Sequence, residues 1–407
     1  MTRRHDLDWV RVLAFGLLVL YHVGMYYVTW EWHVDSPYAT ATLEPFMMLS
    51  SPWRLSLLFL VSGVATAFMM DKLRHGRGTG APPRFLGQRS WRLLVPLAFG
   101  MLVVVPPQSY YEVVDKLPGG YHDGYLAFWA RYLAADSSFC RGEDCLILPT
   151  WNHLWFVAYL WVYTVLAWAL VRWTPRAVAR AGARLGSVLA SGPALLLWPA
   201  LLLALVRVAL VGRFESTHAL VDDWYNHAQY AMVFLLGFLL ARDGRVWDAF
   251  VRTRWPALAL WLAGWLATVT YLAMFRDLQP PAALRLAMRA VWGLQQWCAI
   301  VAILGFARAL APGDSPALRY LAQAVFPVYI LHQTIIIVLA WHLRPLGLRP
   351  LLEGPLLVGL TFALAFAGYE VIRRVPLLRP VFGLRYDASG QHTAPGAAPA
   401  EQAAREA

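Results

Sequence analysis

Long apolar stretches separated by short polar ones run the length of the chain. They recur at roughly 8–29, 46–70, 92–111, 153–173, 193–212, 226–241, 256–275, 284–307, 321–341 and 351–372. Each comes near the ~20 residues that an α-helix needs to cross a hydrocarbon layer about 30 Å thick. In such a layer every backbone N–H and C=O has to be satisfied without water, which a helix achieves within one segment. The pattern therefore predicts an all-α, polytopic integral membrane helix bundle of about ten transmembrane helices. An even count puts both termini on the same side.

Composition removes the soluble alternative. The chain is 59% hydrophobic and only 14% charged, against about 25% charged in an ordinary soluble domain, and its mean hydropathy is +0.49. The first apolar run is long enough to span and has no small-residue cleavage site, so it reads as helix one rather than a removable signal peptide. Residues 386–407 are rich in Ala, Pro, Gly and Gln and read as a disordered tail behind a single membrane domain at 1–385.

Charge adds the orientation. The net charge of +11 is spread over short loops, with no basic arm interleaved with aromatics, so no nucleic-acid partner is expected. The N-terminus and alternate loops hold 23 Lys and Arg, the opposite loops hold 9, and Arg11, Arg54 and Arg207 lie within spans. The positive-inside rule then places both termini in the cytoplasm. Cys140 and Cys145 fall in the longest outer loop, where an oxidising compartment permits a disulfide across Cys140-Arg-Gly-Glu-Asp-Cys145. Cys298 reads as a small buried hydrophobe within the eighth span.

Ionisable groups within spans are costly and carry the candidate chemistry. Arg11 and His22 are eleven residues apart, about 16 Å of rise and close to three turns, so both project from one face of the first helix. Histidine suits a general base near neutral pH; a packing histidine is the structural alternative. In the inner loop before the third span, Arg89-Ser-Trp-Arg92 at a helix start suits the phosphates of a nucleotide-bearing donor, with plain positive-inside anchoring as its alternative. Tyr329 and His332 lie together in the ninth span, His153 opens the fourth, and Glu31 follows the first within Glu31-Trp32-His33-Val34-Asp35. These are secondary candidates, the last two at aromatic-rich mouths that could receive a sugar. No His-Glu-x-x-His or paired Cys-x-x-Cys spacing occurs, so no metal is expected. Walker-type, dinucleotide and Gly-x-Ser-x-Gly patterns are missing as well.

Taken in order, Leu7-Asp8, Arg11 and His22, Phe59-Leu-Val-Ser62-Gly63, Arg89-x-x-Arg92 followed by Leu-Leu-Val-Pro96, and Tyr329-x-x-His332 resemble the acyltransferase-3 superfamily of membrane acyltransferases. The resemblance spans roughly residues 5 to 385. Trp32-His33-Val34, His153-Leu-Trp-Phe156, Tyr369-Glu370 and Arg374-Val-Pro376-Leu-Leu make it most similar to the glucan biosynthesis protein C branch, which is implicated in succinylating periplasmic glucans. The resemblance implies a multi-pass enzyme of the bacterial inner membrane. It implies no bound cofactor, acyl-CoA as co-substrate and a glycan acceptor. By the same resemblance His22 is the essential histidine, Arg11 its partner, and Arg89 with Arg92 the donor-phosphate pair. Arg11 or Tyr329 would help at the oxyanion.

Two readings from other classes stand beside this one. A secondary transporter would use intramembrane Arg and His along a proton or substrate route, although no internal repeat is visible. A non-enzymatic partner in a glycan-export assembly is the other. The charge asymmetry makes its own prediction. Reporter fusions after Arg77 and at the C-terminus should both read cytoplasmic and one near Gly120 should read outside; an external C-terminus would mean that the number of spans is odd.

Overall fold

The structure is a computed structural model that describes residues 4–75 and 83–386; the expected tail, from 387 onward, lies outside the described residues. Helix α1 (His5–Met25) carries Asp6 and Asp8 in its first turn, where carboxylates complement the helix dipole. A loop and the short α2 (Glu44–Ser50) lead into α3 (Arg54–His75). Next come α4 (Pro83–Phe99), a five-residue π-helical turn at Gly100–Val104 and α5 (Pro106–Lys116). Pro96 within α4 and Pro106 at the start of α5 lack N–H donors, and the ladder between them re-registers as a π-turn. Beyond α5 lie α6 (Tyr125–Leu133) and a hairpin of β1 (Cys140–Arg141) with β2 (Asp144–Cys145). Cys140 and Cys145 face each other across it and are joined by a disulfide.

The second half is helical throughout: α7 (Trp155–Trp173), α8 (Pro175–Leu189), α9 (Gly192–Leu210), α10 (Trp224–Leu240), α11 (Gly244–Met274) and α12 (Ala282–Leu310). Then follow α13 (Pro316–Leu343), α14 (Pro350–Arg374) and the short α15 (Leu378–Val381). Pro175, Pro316 and Pro350 open their helices at the position where a missing N–H costs nothing. Ser315 caps α13 by accepting the Leu318 N–H at 3.0 Å.

Among the described residues, nine helical segments are long and apolar enough to cross a membrane. The run at 226–241 is α10, a helix of 17 residues, about 25 Å long and thus a little short of a full crossing. Its faces are turned to protein: Tyr225, Gln229, Val233, Phe234, Gly237 and Phe238 are all buried. The third run is longer than its hydropathy pattern indicated, because α4, the π-turn and α5 form one segment of 33 residues, Arg84–Lys116. In the loop after the fourth run lies α8, which exposes Arg176, Arg180 and Arg184 one turn apart. The architecture is an all-α polytopic bundle.

Helices α3 and α10 approach each other closely at two glycines. A Cβ on Gly63 would lie 2.0 Å from the Phe234 carbonyl oxygen, and one on Gly237 would lie 2.1 Å from the Leu60 carbonyl oxygen. Helices in lipid gain from such contact because van der Waals packing drives their association. Around this seam Phe59 stacks on Tyr230 at 4.8 Å and meets Phe156 at 4.4 Å between ring centroids.

Segments that the charge count assigns to one side lie together at one end. Arg242 grips Asp71 through two bonds of 2.6 and 2.7 Å, Arg4 lies 4.2 Å over the Trp247 ring, and His5 lies 3.7 Å from Asp314. At the opposite end Lys116 pairs with Asp35 at 2.8 Å and Arg344 with Asp115 at 2.7 Å. Gly63→Val should destabilise the bundle by about 1–3 kcal/mol, since the added carbons meet backbone that cannot rotate away. Gly16→Ala is the control, as nothing lies within 4 Å of its Cβ position. Equal thermal unfolding of the two variants in detergent would contradict this account of the seam.

Candidate active site

One face of α1 carries Arg11, Phe15, Leu18 and His22 at helical spacing. Two cavities open along it. One, of about 160 Å³, is lined by Arg11, Arg89 and Arg92 at the end of the bundle that holds Asp71 and Arg242. The other, of about 420 Å³, is lined by His22, Glu31, His33, Arg54, Asn152 and His153 toward the opposite end. Phe15, Phe156 and Tyr329 belong to both linings, so the cavities meet back to back at three aromatic rings.

In the first cavity Arg11 Nη2 donates to the Ala322 carbonyl at 2.9 Å and Arg92 Nε to the Gly383 carbonyl at 3.1 Å. Arg89 Nε is buried with no hydrogen-bond partner among the described residues. The described lining holds no Asp or Glu. Three guanidinium groups around such a space suit phosphates, which they bind through charge-assisted forks. Arg89 and Arg92 lie in the second and third turns of α4, which begins at Pro83, and not at a helix start as the spacing suggested. Their attraction for an anion thus comes from side chains alone, without free N-terminal amides.

The second cavity is organised by hydrogen bonds whose directions can be read from backbone carbonyls. His332 Nδ1 lies 2.6 Å from the Tyr329 carbonyl and must carry the proton, since a carbonyl can only accept. In the neutral ring Nε2 is then an acceptor, and it lies 2.7 Å from His22 Nδ1, which must donate. This leaves the lone pair of a neutral His22 on Nε2, for which the described residues provide no partner. His153 follows the same logic: Nε2 donates to the Tyr329 and Ile330 carbonyls at 3.1 and 3.2 Å, and Nδ1 accepts from Gln108 at 3.3 Å.

A chain of amides continues outward. Gln108 Oε1 accepts from Asn152 at 3.0 Å and from Gln333 at 3.1 Å; Gln333 also donates to His33 Nε2 at 3.1 Å, and His33 Nδ1 meets Glu112 at 2.5 Å. Arg141, inside the disulfide-closed hairpin, reaches both Glu112 and Glu31 at 3.3 Å. In the loop at the rim, burial lowers the His218 pKa, with Asp223 opposing, so this imidazole is neutral at pH 7. Its ring lies 4.4 Å from that of Trp155.

The structure thus gathers His22, His332, His153 and Tyr329 into one cluster and puts Glu31 at its exposed mouth. Arg11 stands apart from His22 and joins the arginine pair. The Tyr329 hydroxyl donates to the His153 carbonyl at 2.5 Å and is committed there. Gln108, Glu112 and Gln333 emerge as site residues only in three dimensions, beside His33 and Asn152 of the segments already singled out in the sequence.

A family model described as an acyltransferase domain, that of acyltransferase family 3, matches residues 4–370. The chain belongs to this family: it is a multi-pass membrane acyltransferase. No curated protein and no solved structure matches it.

The tautomer chain predicts the effect of His332→Phe. A flat aromatic ring is kept and the acceptor for His22 Nδ1 is lost, so His22 is no longer held with its lone pair on Nε2. Acyl transfer should fall roughly tenfold or more, a part of the 10²–10⁴-fold that a general base contributes, with little change in donor KM. Unchanged turnover in a folded variant would remove His332 as the group that sets the tautomer.

Proposed function

We propose that the protein moves an acyl group, acetyl or succinyl, from a cytoplasmic acyl-CoA to a hydroxyl of a glycan on the far side of the bacterial inner membrane. One observation carries the reading: an arginine-lined cavity and a cavity holding the free Nε2 of His22 meet at the rings of Phe15, Phe156 and Tyr329. The CoA phosphates rest on Arg89 and Arg92, with Arg11 beside them, and the pantetheine arm carries the thioester past the rings toward His22. His22 Nε2 takes the proton of the acceptor hydroxyl as its oxygen attacks the thioester carbonyl. The C–O bond forms, the C–S bond breaks, and the proton passes from His22 to the leaving thiolate. Glu31 and the indoles of Trp32 and Trp151 at the outer mouth suit a sugar. The similarity to the glucan biosynthesis protein C branch favours a glucan as acceptor.

Full-length protein purified in detergent, given acyl-CoA and a glucan oligosaccharide, tests this. His22→Ala should lower transfer by about 10²–10⁴-fold while the protein stays folded and membrane-inserted. Arg89→Ala with Arg92→Ala should chiefly raise the donor KM, each lost phosphate contact costing about 1.5–3 kcal/mol. A folded His22→Ala enzyme with near-normal turnover would rule out the proposed base.

A further inference from the structure

Beside the His22 cavity is another, of about 320 Å³. It shares His22, Trp32, Arg54, Leu55, Trp155 and His218 with its neighbour and adds Arg207, Tyr225, Gln229 and Trp292 of its own. Arg54, the first residue of α3, is only 5% exposed, and its Nε and Nη1 have no hydrogen-bond partner among the described residues. Its guanidinium lies 3.3 Å from the centroid of the Tyr21 ring. Arg207, on α9, donates from Nη1 to the Tyr225 hydroxyl at 2.5 Å and lies 4.2 Å over the Trp292 ring, and its Nε is also without a partner there. Among the described residues no Asp or Glu pairs with either arginine or lines the cavity.

Buried cations are ordinarily paired, because desolvation without a counter-charge is costly. Here the partners are π faces and the phenols of Tyr21 and Tyr225, and unused N–H donors remain beside an open space. Catalysis as proposed does not call on these two side chains. We infer that this cavity is an anion subsite, in which Arg54 and Arg207 hold a carboxylate or phosphate of the same substrate complex whose reacting hydroxyl and carbonyl meet at His22. The subsite rests on the acyl-transfer reading for its purpose, but its existence is a matter of binding alone. The anion has two possible sources, the free end of the acyl chain or a substituent on the acceptor, and both present the same group to the arginines.

The experiment uses full-length protein in nanodiscs of phosphatidylcholine, which supplies no net anionic lipid. Binding of methyl glucuronide and of methyl glucoside 6-phosphate is compared with that of methyl glucoside, and binding of succinyl-CoA with that of butyryl-CoA, which has a four-carbon chain without the terminal carboxylate. In one of the two arms the anionic probe should bind about tenfold or more tightly than its neutral counterpart, the order expected for charge-assisted bonds. Arg54→Gln and Arg207→Gln should each erase that preference, and Arg54→Lys should keep part of it, which separates loss of charge from loss of fold. A preference in the sugar arm assigns the anion to the acceptor, and one in the acyl arm assigns it to the donor. Equal binding of charged and neutral probes in both arms, or a preference that survives both Gln variants, would overturn the subsite. So would variants that slow transfer of acetyl and succinyl groups alike while no binding preference exists, since that marks a role at the oxyanion. Failure of transfer from any acyl-CoA, with the binding preference intact, would count against the enzymatic reading and leave the subsite standing.

Discussion

One backbone carbonyl, that of Tyr329, sets the chemistry of the site. It lies in a helix interior where water cannot substitute for a missing partner, and it accepts from His332 Nδ1 at 2.6 Å and from His153 Nε2 at 3.1 Å. A carbonyl cannot donate, so both rings are forced into the tautomers that point their protons at it. The choice propagates through His332 Nε2 to His22 Nδ1 and ends at a single bare nitrogen, His22 Nε2, at the cavity wall. Buried polar networks are costly when half satisfied; here each ring beneath His22 has both nitrogens engaged, and the one left over is the one that faces open space.

The same helices serve both cavities, which keeps the two in register. α1 gives Arg11 to one and His22 to the other, and the long α4–π–α5 segment gives Arg89 and Arg92 to one and supports the other through Gln108 and Glu112. Packing holds these helices to fixed positions. Where α3 and α10 touch through Gly63 and Gly237, neither can slide without driving a carbonyl into the other. Arg54 at the head of α3 and Tyr230 on α10 are therefore held at the wall of the outer cavities by a contact made elsewhere along the same helices.

The sequence pattern showed some of this and hid the rest for identifiable reasons. The alignment of Arg11 with His22 was visible because helical period depends only on spacing. Hydropathy found the bundle, yet it placed the Arg89 pair at a helix start, since the first two turns from Pro83, with Arg84, Gln88 and Arg89, look polar. Gln108 and Gln333 left no signal, because lone amides in apolar runs have no period and the two lie 225 positions apart. The Arg11–His22 spacing also invited a shared role, whereas their three turns of separation put them at different cavities. Arg54 and Arg207 could be noted as charges within spans, but their common cavity is lined from α1, α3, α7, α9, α10 and α12 and exists only once these pack.

On the proposed reading, the three rings between the cavities carry the selectivity that a membrane enzyme needs. A polar donor and a polar acceptor approach from opposite ends, and a continuous wet route between them would leak protons and ions. Phe15 and Tyr329 meet edge to face at 5.4 Å, Phe156 and Tyr329 at 6.3 Å, and the Tyr329 ring is tethered through its hydroxyl to the His153 carbonyl. Such a seam admits a slender pantetheine arm with its acyl group and opposes the passage of a phosphate, which would lose its hydration against aromatic carbon. The tether joins the seam to the histidine cluster, since His153 also donates to the Tyr329 carbonyl. Movement of the Tyr329 ring to widen the gap would therefore disturb the hydrogen bonds that fix the base, so that barrier and base depend on the same residue.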